Sequence, residues 1–413
     1  MERHVVVIGG GAAGFMGAIT CAEAASRTRV TVVEATRDPL AKVRISGGGR
    51  CNVTTGCTDP AELIRYYPRG GTELRGPLTR FGPRQTRAWF EGRGVALKTE
   101  KDGRIFPVSD QSATIVQCLR EGARRAGVHL VTGQRVRSIR RLNDGAFEIA
   151  HPTPHRYDRV LLATGGSRAG HTMAALLGHA VVDPVPSLFT FKVQDPRLTD
   201  LAGISVDLVE LTMEIEGSRP RKTEGPLLVT HWGLSGPAVL QLSSHAAREL
   251  AGSGYRARLR INWLPGFKTG QITDRLRARR DEAGTRKVVG DTCLPPPARL
   301  WSRLVSAAGI AEETTWANLT RGQSNALVQQ LTASEFQIQG RGVFKEEFVT
   351  CGGVRLNEMN FRTMESRTCP GLYLAGEILD IDGLTGGYNF QSAWTTGWLA
   401  GRSMADSAQQ LTP

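Results

Sequence analysis

The sequence holds no stretch approaching the ~18 uninterrupted apolar residues that a membrane-spanning helix needs. Its first residues, Met1 to His4, pass straight into an apolar run with no secretory signal core. Seven cysteines, an odd number, include no Cys-x-x-Cys pair and no zinc-type spacing. That excludes a disulfide-stapled scaffold and a zinc module, and leaves reduced thiols. Internal repeats and low-complexity tracts are also missing, which excludes a solenoid and a disordered chain. A cytoplasmic protein with no membrane contact and no metal is expected. Lysine is scarce too, with eight among 52 basic residues.

What is present is length, glycine and positive charge. At 413 residues and 40% hydrophobic content the chain has material for two or three domains with a real core. Glycine occurs 48 times without a collagen period, well above the average of about 7%. Many backbone positions must therefore adopt a left-handed φ or approach something closely. The formal charge is 52 − 39 = +13. Its arginines are scattered, the densest cluster being Arg275, Arg277, Arg279 and Arg280. This reads as a solvated basic surface, with a nucleic-acid partner as the alternative.

Val5 to Ile8 is a short apolar run rich in β-branched residues, the pattern of a buried parallel strand. A glycine turn and small residues lead into a helix to about Ser26, and Val30 to Val33 forms the next strand, completing a β-α-β unit. A glycine-rich loop covers 42–56, and an amphipathic helix is predicted over 110–126. Strands alternate from Val128 to Ile149 around a turn at Asn143, Asp144 and Gly145. Val160 to Thr164 is another buried strand. Near Pro184 to Ser187 the character changes: 189–265 is strand-rich, with alternation in 206–215 and 255–263, and 271–331 is helical with a break at Pro295 to Pro297. Strand patterning resumes over 343–349 and 371–375, and a closing helix is predicted from Gln391 to about Ala405. The expected architecture is α/β. A Rossmann-like nucleotide-binding domain is built from both chain ends (1–190 and 343–413). It is interrupted by an inserted domain, β-rich over 191–265 and helical over 266–342.

The early chemistry lies in Gly9-x-Gly11-x-x-Gly14, directly after a strand and opening a helix. The first glycine permits the turn, the second lets backbone N–H groups approach a pyrophosphate, and the third allows close packing of helix on strand. Glu34 follows 20 residues after Gly14, at the end of the second strand, where a carboxylate hydrogen-bonds a ribose diol. A carboxylate there disfavours a 2′-phosphate, leaving FAD or NAD. A second glycine-lined approach, Gly376-Glu377 and then Gly386 to Gln391 leading into the last helix, suits a long cofactor held along its whole length, which favours FAD.

Four further blocks, Ser46 to Thr54, Gly103 to Ser109, Thr230 to Pro237, and Gly376 to Ile378 with Thr385 to Gln391, stand in order behind the fingerprint. Together they resemble the YhiN-type flavoproteins, also called the BaiN or aminoacetone-oxidase family, over nearly the whole chain. The resemblance implies a two-part Rossmann-like FAD domain with a β-rich and helical insert. It also implies FAD contacts at Gly9, Gly11, Ala12, Ala13 and Gly14, at Glu34 and Lys42, and at Ser46, Gly47, Gly48, Gly49, Arg50, Cys51 and Asn52. Further contacts are implied at Val136, at Ala163, Thr164 and Gly165, at Gly376 and Glu377, and at Gly387, Tyr388, Asn389, Phe390 and Gln391. Cys351 stands where a small residue such as alanine is expected.

Arg50 and His231 are the catalytic candidates. Arg50, like Lys42, can balance pyrophosphate or reduced-flavin charge, and His231 can act as an acid or base at the insert. Each also has a plain structural reading. Ser235 is expected to cap the helix after it. Disulfide reductases also place two cysteines after a Gly-Gly loop, but closer together than Cys51 and Cys57, and with a second dinucleotide fingerprint that is missing here; a packed Cys51 thiol is expected. His151 and His155 have metal-like spacing, but the prolines at 152 and 154 exclude a helix and point to a turn. The expected activity is FAD-dependent hydride transfer between flavin N5 and a small organic substrate, in the reductase or dehydrogenase direction. The electron partner is transient: NAD(P)H, a protein donor or O2. The alternatives are an amine oxidase using O2 and an RNA-acting, tRNA-modifying flavoprotein drawing on the basic segment 274–303.

Overall fold

A computed structural model describes residues 2–342 and 349–406. The chain divides into two compact units, residues 1–184 with 349–413, and residues 185–348.

The first unit is organised on a seven-stranded sheet. Its strands are β1 (Arg3–Ile8), β2 (Thr28–Val33), β3 (His129–Val131), β4 (Arg159–Leu162), β5 (Met359–Asn360), β6 (Glu365–Ser366) and β7 (Leu372–Leu374), in the spatial order β5-β6-β7-β4-β1-β2-β3. From β7 to β3 all neighbours are parallel, and β5 and β6 add an antiparallel edge. Parallel strands covered on both faces need apolar side chains on both, which is why Val5, Val6, Val7 and Ile8 are all buried. The strands Ser138–Arg141, Phe147–Ala150 and Pro154–Tyr157 form a separate antiparallel sheet. It shares a core with β1 through Phe147, Ile149 and Tyr157.

Helix α1 (Ala12–Ala24) packs on the closing helix Tyr388–Asp406 with almost no side chain between them. A Cβ on Gly397 would lie 2.4 Å from the Ala13 carbonyl oxygen, and one on Gly401 would lie 2.5 Å from that of Gly17. Helix axes usually stand 8–10 Å apart, the distance set by the side chains at the contact. Glycine at both contacts lets the first and last helices meet backbone to backbone. The helix predicted over 110–126 is Ser112–Arg125, burying Ile115, Val116 and Leu119.

In the second unit the alternation read in the sequence becomes a seven-stranded antiparallel sheet built around Ser205–Glu214, Arg221–Thr230 and Ala257–Asn262. The helices Thr269–Glu282, Ala298–Ala307 and Arg321–Thr332 follow, with Pro297 as the N-cap residue of the second. Two expectations need comment. Ser235 is not a helix cap: Gly236 occupies the N-cap of Pro237–His245 without a side-chain bond. The Ser235 hydroxyl instead accepts from Thr190 Oγ1 at 3.1 Å, because Ser235 still belongs to the strand Gly233–Ser235. Of the strand expected over 343–349, positions 343–348 lie outside the described residues, and Val349 begins the strand Val349–Val354. Among the described residues no helix is long and apolar enough to cross a membrane.

Candidate functional site

Sheet register decides which residues meet. Val131, Val33, Ile8, Leu162 and Leu374 form one row across five parallel strands. The chain therefore leaves β2, β1, β4 and β7 at one carboxyl edge, delivering Glu34, Gly9, Ala163 and Ala375 side by side. Residues near the amino end and near the carboxyl end of the chain are brought to the same edge. Ligands of open parallel sheets bind outside that edge.

At its centre, Gly9 (φ +109°) turns tightly over β4, and a Cβ there would lie 2.4 Å from the Ala163 carbonyl oxygen. Gly14 is held as tightly: a Cβ there would lie 2.0 Å from the carbonyl oxygen of Gly9. Gly11 differs: a Cβ would meet nothing within 4 Å, and the helix it opens has no side-chain cap. The first-turn N–H groups of α1 thus border open space with the partial positive charge of a helix start. Glu34 is positioned by its own bonds, Oε2 accepting from Gly10 N–H at 2.7 Å and Oε1 from Thr36 N–H at 2.7 Å and Thr36 Oγ1 at 2.8 Å. Val136 is buried in the core, just past Gln134, whose N–H bonds the Glu34 carbonyl at 3.0 Å.

The loop 46–49 supplies a second glycine surface. Gly47 and Gly48 both take left-handed φ, at 57° and 68°, and Gly48 and Gly49 have nothing within 4 Å of an added Cβ. Gly11, Gly48 and Gly49 are thus backbone surfaces left bare, Gly11 at a helix start next to Gly10, whose N–H binds the Glu34 carboxylate. That donor set fits an elongated dinucleotide. Lys42 Nζ reaches Glu377 Oε2 at 2.6 Å, and Glu377 Oε1 accepts from Thr350 N–H at 2.7 Å. Gly165 is beside the same carboxylate, 3.6 Å from Oε2 to an added Cβ.

Several predicted contact residues are occupied in building the site. The Asn52 amide, oriented by its neighbours, accepts from Gly387 N–H at 2.9 Å and donates to the Thr54 carbonyl. Gln391 accepts from Thr54 Oγ1 at 2.5 Å and donates to Thr395 Oγ1 and the Phe81 carbonyl. Asn389 bonds both backbone groups of Gly383 at 2.8 Å. The Tyr388 carbonyl accepts from Tyr67 OH, its ring stacks on Tyr66, and Phe390 stacks on Trp394. Ser46 Oγ donates to the Val43 carbonyl, ending the short helix Ala41–Ile45. Thr164 Oγ1 is sealed against Gly170 without a hydrogen-bond partner.

Arg50 is turned onto carboxylates of the chain itself, Glu100 at 2.7 Å and Asp110 at 3.4 Å, and lies 4.0 Å over the Phe106 ring. The Glu100 hydrogen bond, with Asp110 adding to it, raises the affinity of its guanidinium for the proton. His231 is exposed in the turn between Arg221–Thr230 and Gly233–Ser235, within the second unit.

Cys51 adopts φ +62° and is fully buried, and burial pushes its thiol up to about 12 against a lowering hydrogen bond from Ser46. A thiolate is the reactive form. In the native protein at about pH 8, iodoacetamide is therefore expected to label half-buried Cys57 and spare Cys51, with both labelled in urea. Peptide mapping reads the result, and rapid native labelling of Cys51 would contradict the burial. Cys351 is buried in Val349–Val354.

Three features escaped sequence reasoning. Thr350 holds Glu377 through its backbone, which carries no side-chain signature. Arg69 makes a two-pronged ion pair with Asp382, whose side chain has no exposure at all. His171, in the helix Arg168–Leu176 that opens after Gly165, is buried beside Ile378 and Glu377, and among the described residues neither ring nitrogen makes a hydrogen bond of ordinary geometry. Burial holds its imidazole toward the neutral form, opposed by the Ile378 backbone and the Glu377 charge.

Comparison with known proteins adds the following. Residues 3–403 match the HI0933-like protein Rossmann domain. A protein of Clostridium scindens (strain ATCC 35704 / DSM 5676 / VPI 13733 / 19), 3-dehydro-bile acid delta(4,6)-reductase, is 30% identical over 412 residues, covering 98% of this chain and 99% of that one. The ribosomal RNA dihydrouridine synthase of Escherichia coli K12 is 30% identical over 416 residues, covering 98% of each. Among solved structures, the 3-ketosteroid-delta4-(5alpha)-dehydrogenase of Rhodococcus jostii RHA1 superposes with a TM-score of 0.53 at 17% identity. It covers 98% of this chain and 97% of that one, a likeness of fold.

Proposed function

Because the chain belongs to the HI0933-like family and is an FAD-dependent oxidoreductase, we propose that it reduces a carbon–carbon double bond conjugated to a carbonyl group. The observation that carries this reading is the chemistry shared by two relatives with unlike substrates. A 3-oxo bile acid with ring unsaturation and a uracil ring both present an alkene polarised by a carbonyl. Such an alkene accepts hydride at the far carbon and a proton at the near one. FAD, when bound, supplies the two-electron transfer between a reduced donor and that acceptor.

The chain's own residues bind and orient. Backbone N–H groups from Gly11 to Gly14 would hold the pyrophosphate, and Glu34 the adenosine ribose. Gly47, Gly48 and Gly49 allow close backbone approach, while Lys42 and Glu377 would hold the stretch between. The ion pairs of Arg50 favour a supporting role for it, fixing the loop that carries these glycines. The missing second dinucleotide fingerprint favours a transient electron donor, NAD(P)H or a protein.

The test is anaerobic. Flavin of the purified protein is reduced with NADH or NADPH, then mixed with a 3-keto-4,6-diene steroid, with unmodified ribosomal RNA, or with air. Reoxidation by an alkene acceptor at least about tenfold faster than by air is expected, that ratio being about 1.4 kcal/mol in barrier. Fast reoxidation by air alone, with reduction by an amine, would instead establish an oxidase. The second reading, an RNA substrate, rests on the +13 charge and on Arg275, Arg277 and Arg280, exposed along Thr269–Glu282. Arg279 is withdrawn from that face by Asp291, at 2.6 and 2.8 Å. Reversing the charge of Arg275 and Arg277 should weaken RNA retention and flatten its salt dependence. Unchanged retention would end that reading.

A further inference from the structure

His151 and His155 come together by a route other than a helix. The hairpin of Phe147–Ala150 and Pro154–Tyr157 stacks their rings with centroids 4.7 Å apart. Tyr157 OH stands 2.7 Å from His151 Nε2. These three residues line a pocket of about 530 Å³ with His4, Arg29 and His129. His4 and Arg29 are register partners near the starts of β1 and β2, and His129 opens β3. The pocket therefore follows the edge strand β3, from His4 and Arg29 on the amino side of the parallel sheet to Val131 and Gln134, which bond the backbone of Glu34.

Its lining, completed on the charged side by Arg156, contains four imidazoles, two guanidiniums and no carboxylate. Carboxylates stand just outside. Glu2 is 3.8 Å from His4 Nε2, Asp158 accepts from His4 N–H, and Asp144 pairs with Arg156. Among the described residues Arg29 makes no such pair, and its charge opposes the effect of burial on the Tyr157 hydroxyl. His151 is 5% exposed and its Nδ1 has no partner among the described residues, an unmet bonding group in the pocket wall. Burial, then His155 and His129, holds its ring toward the neutral form. Stacked rings present flat faces and charge rather than converging lone pairs. Among the described residues no His, Cys, Asp or Glu group is arranged to hold a metal ion.

We propose that this pocket binds a small multiply charged oxyanion, the phosphate or sulfate group of a small molecule, through Arg29 and imidazoles that gain protons as it binds. Each proton taken up places a cation beside the anion and relieves its repulsion with the neighbouring rings, so acid strengthens binding. Sulfate is the probe of choice because it stays doubly charged while the imidazoles titrate.

The experiment is calorimetric titration of the full, flavin-loaded chain with sodium sulfate at about pH 7.5 and about pH 5.5, on either side of the ordinary histidine range. Affinity is expected to rise at least about tenfold at the lower pH. Arg29→Ala and His155→Ala, both at exposed positions, should each cancel most of that gain and leave flavin content unchanged. Two-dimensional NMR of the imidazoles should show His129 and His155 moving with sulfate. A pH-independent affinity, or variants that keep the parent's affinity at the lower pH, overturns the proposal. So does a short single-stranded RNA that moves the same imidazoles at lower concentration than sulfate, which would assign the pocket to a nucleic-acid backbone.

Discussion

Asp382→Ala is expected to lower the unfolding free energy by about 3–5 kcal/mol, the usual cost of removing one partner from a buried ion pair. The Asp382 side chain is wholly buried and the Arg69 side chain only 14% exposed, and two hydrogen bonds join them. Without the carboxylate, the guanidinium must stay in low dielectric beside Ile381 or drag its loop outward. The double variant Arg69→Met with Asp382→Leu removes both charges and should cost markedly less than Asp382→Ala alone, since desolvation of the pair is then avoided. Urea unfolding of the three proteins checks this. A loss under about 1 kcal/mol in the single variant would mean that water reaches the pair, as it does at surface ion pairs. The loop held here, 381–387, leads into the closing helix, so flavin retention should fall with stability.

Gly397→Val is expected to destabilise by about 3 kcal/mol or more and to release the cofactor. Two effects oppose each other. Replacing a mid-helix glycine lowers backbone entropy in the unfolded state, a gain of roughly 0.5–1 kcal/mol. Against this, the first carbon added falls 2.4 Å from the Ala13 carbonyl oxygen, a backbone atom that cannot rotate aside. Overpacking of this kind costs about 1–3 kcal/mol and more where nothing can yield, so it wins. Ala13 belongs to the first turn of α1, whose N–H groups are proposed above to hold the pyrophosphate. Parting the two helices therefore displaces that turn. Thermal unfolding with and without added FAD measures both effects, and a variant that keeps its flavin and its melting temperature would show that the helices separate freely.

The parallel strands and the glycine fingerprint were readable because each is local: a run of β-branched residues needs burial on both faces, and Gly9 needs its left-handed turn whatever lies elsewhere. Glu34 was readable through its fixed distance from Gly14. The role of Lys42 was only half visible, since its partner Glu377 is 335 positions away. Separations of 313 and 337 positions hid Arg69 with Asp382 and Thr54 with Gln391, where neither residue is unusual until the other is placed beside it. Ser235 misled for a physical reason, because its strand continues one residue further than a serine cap would allow. At His151 and His155 the prolines do exclude a helix, but a hairpin brings two rings together as well as a helical turn does.

The meeting of Gly17 with Gly397 and Gly401 has a consequence for biosynthesis. Translation produces the two helices at opposite ends of the job. About 360 residues separate Ala24 from Tyr388, so at roughly 5–20 residues per second some 20–70 s pass between them. Through that interval the nascent chain carries a bare glycine flank on its first helix, while the contiguous stretch 185–342 has its own partners already in hand. Cofactor loading must therefore wait for the ribosome to finish, and a chain stalled before Tyr388 should emerge colourless and dependent on chaperones.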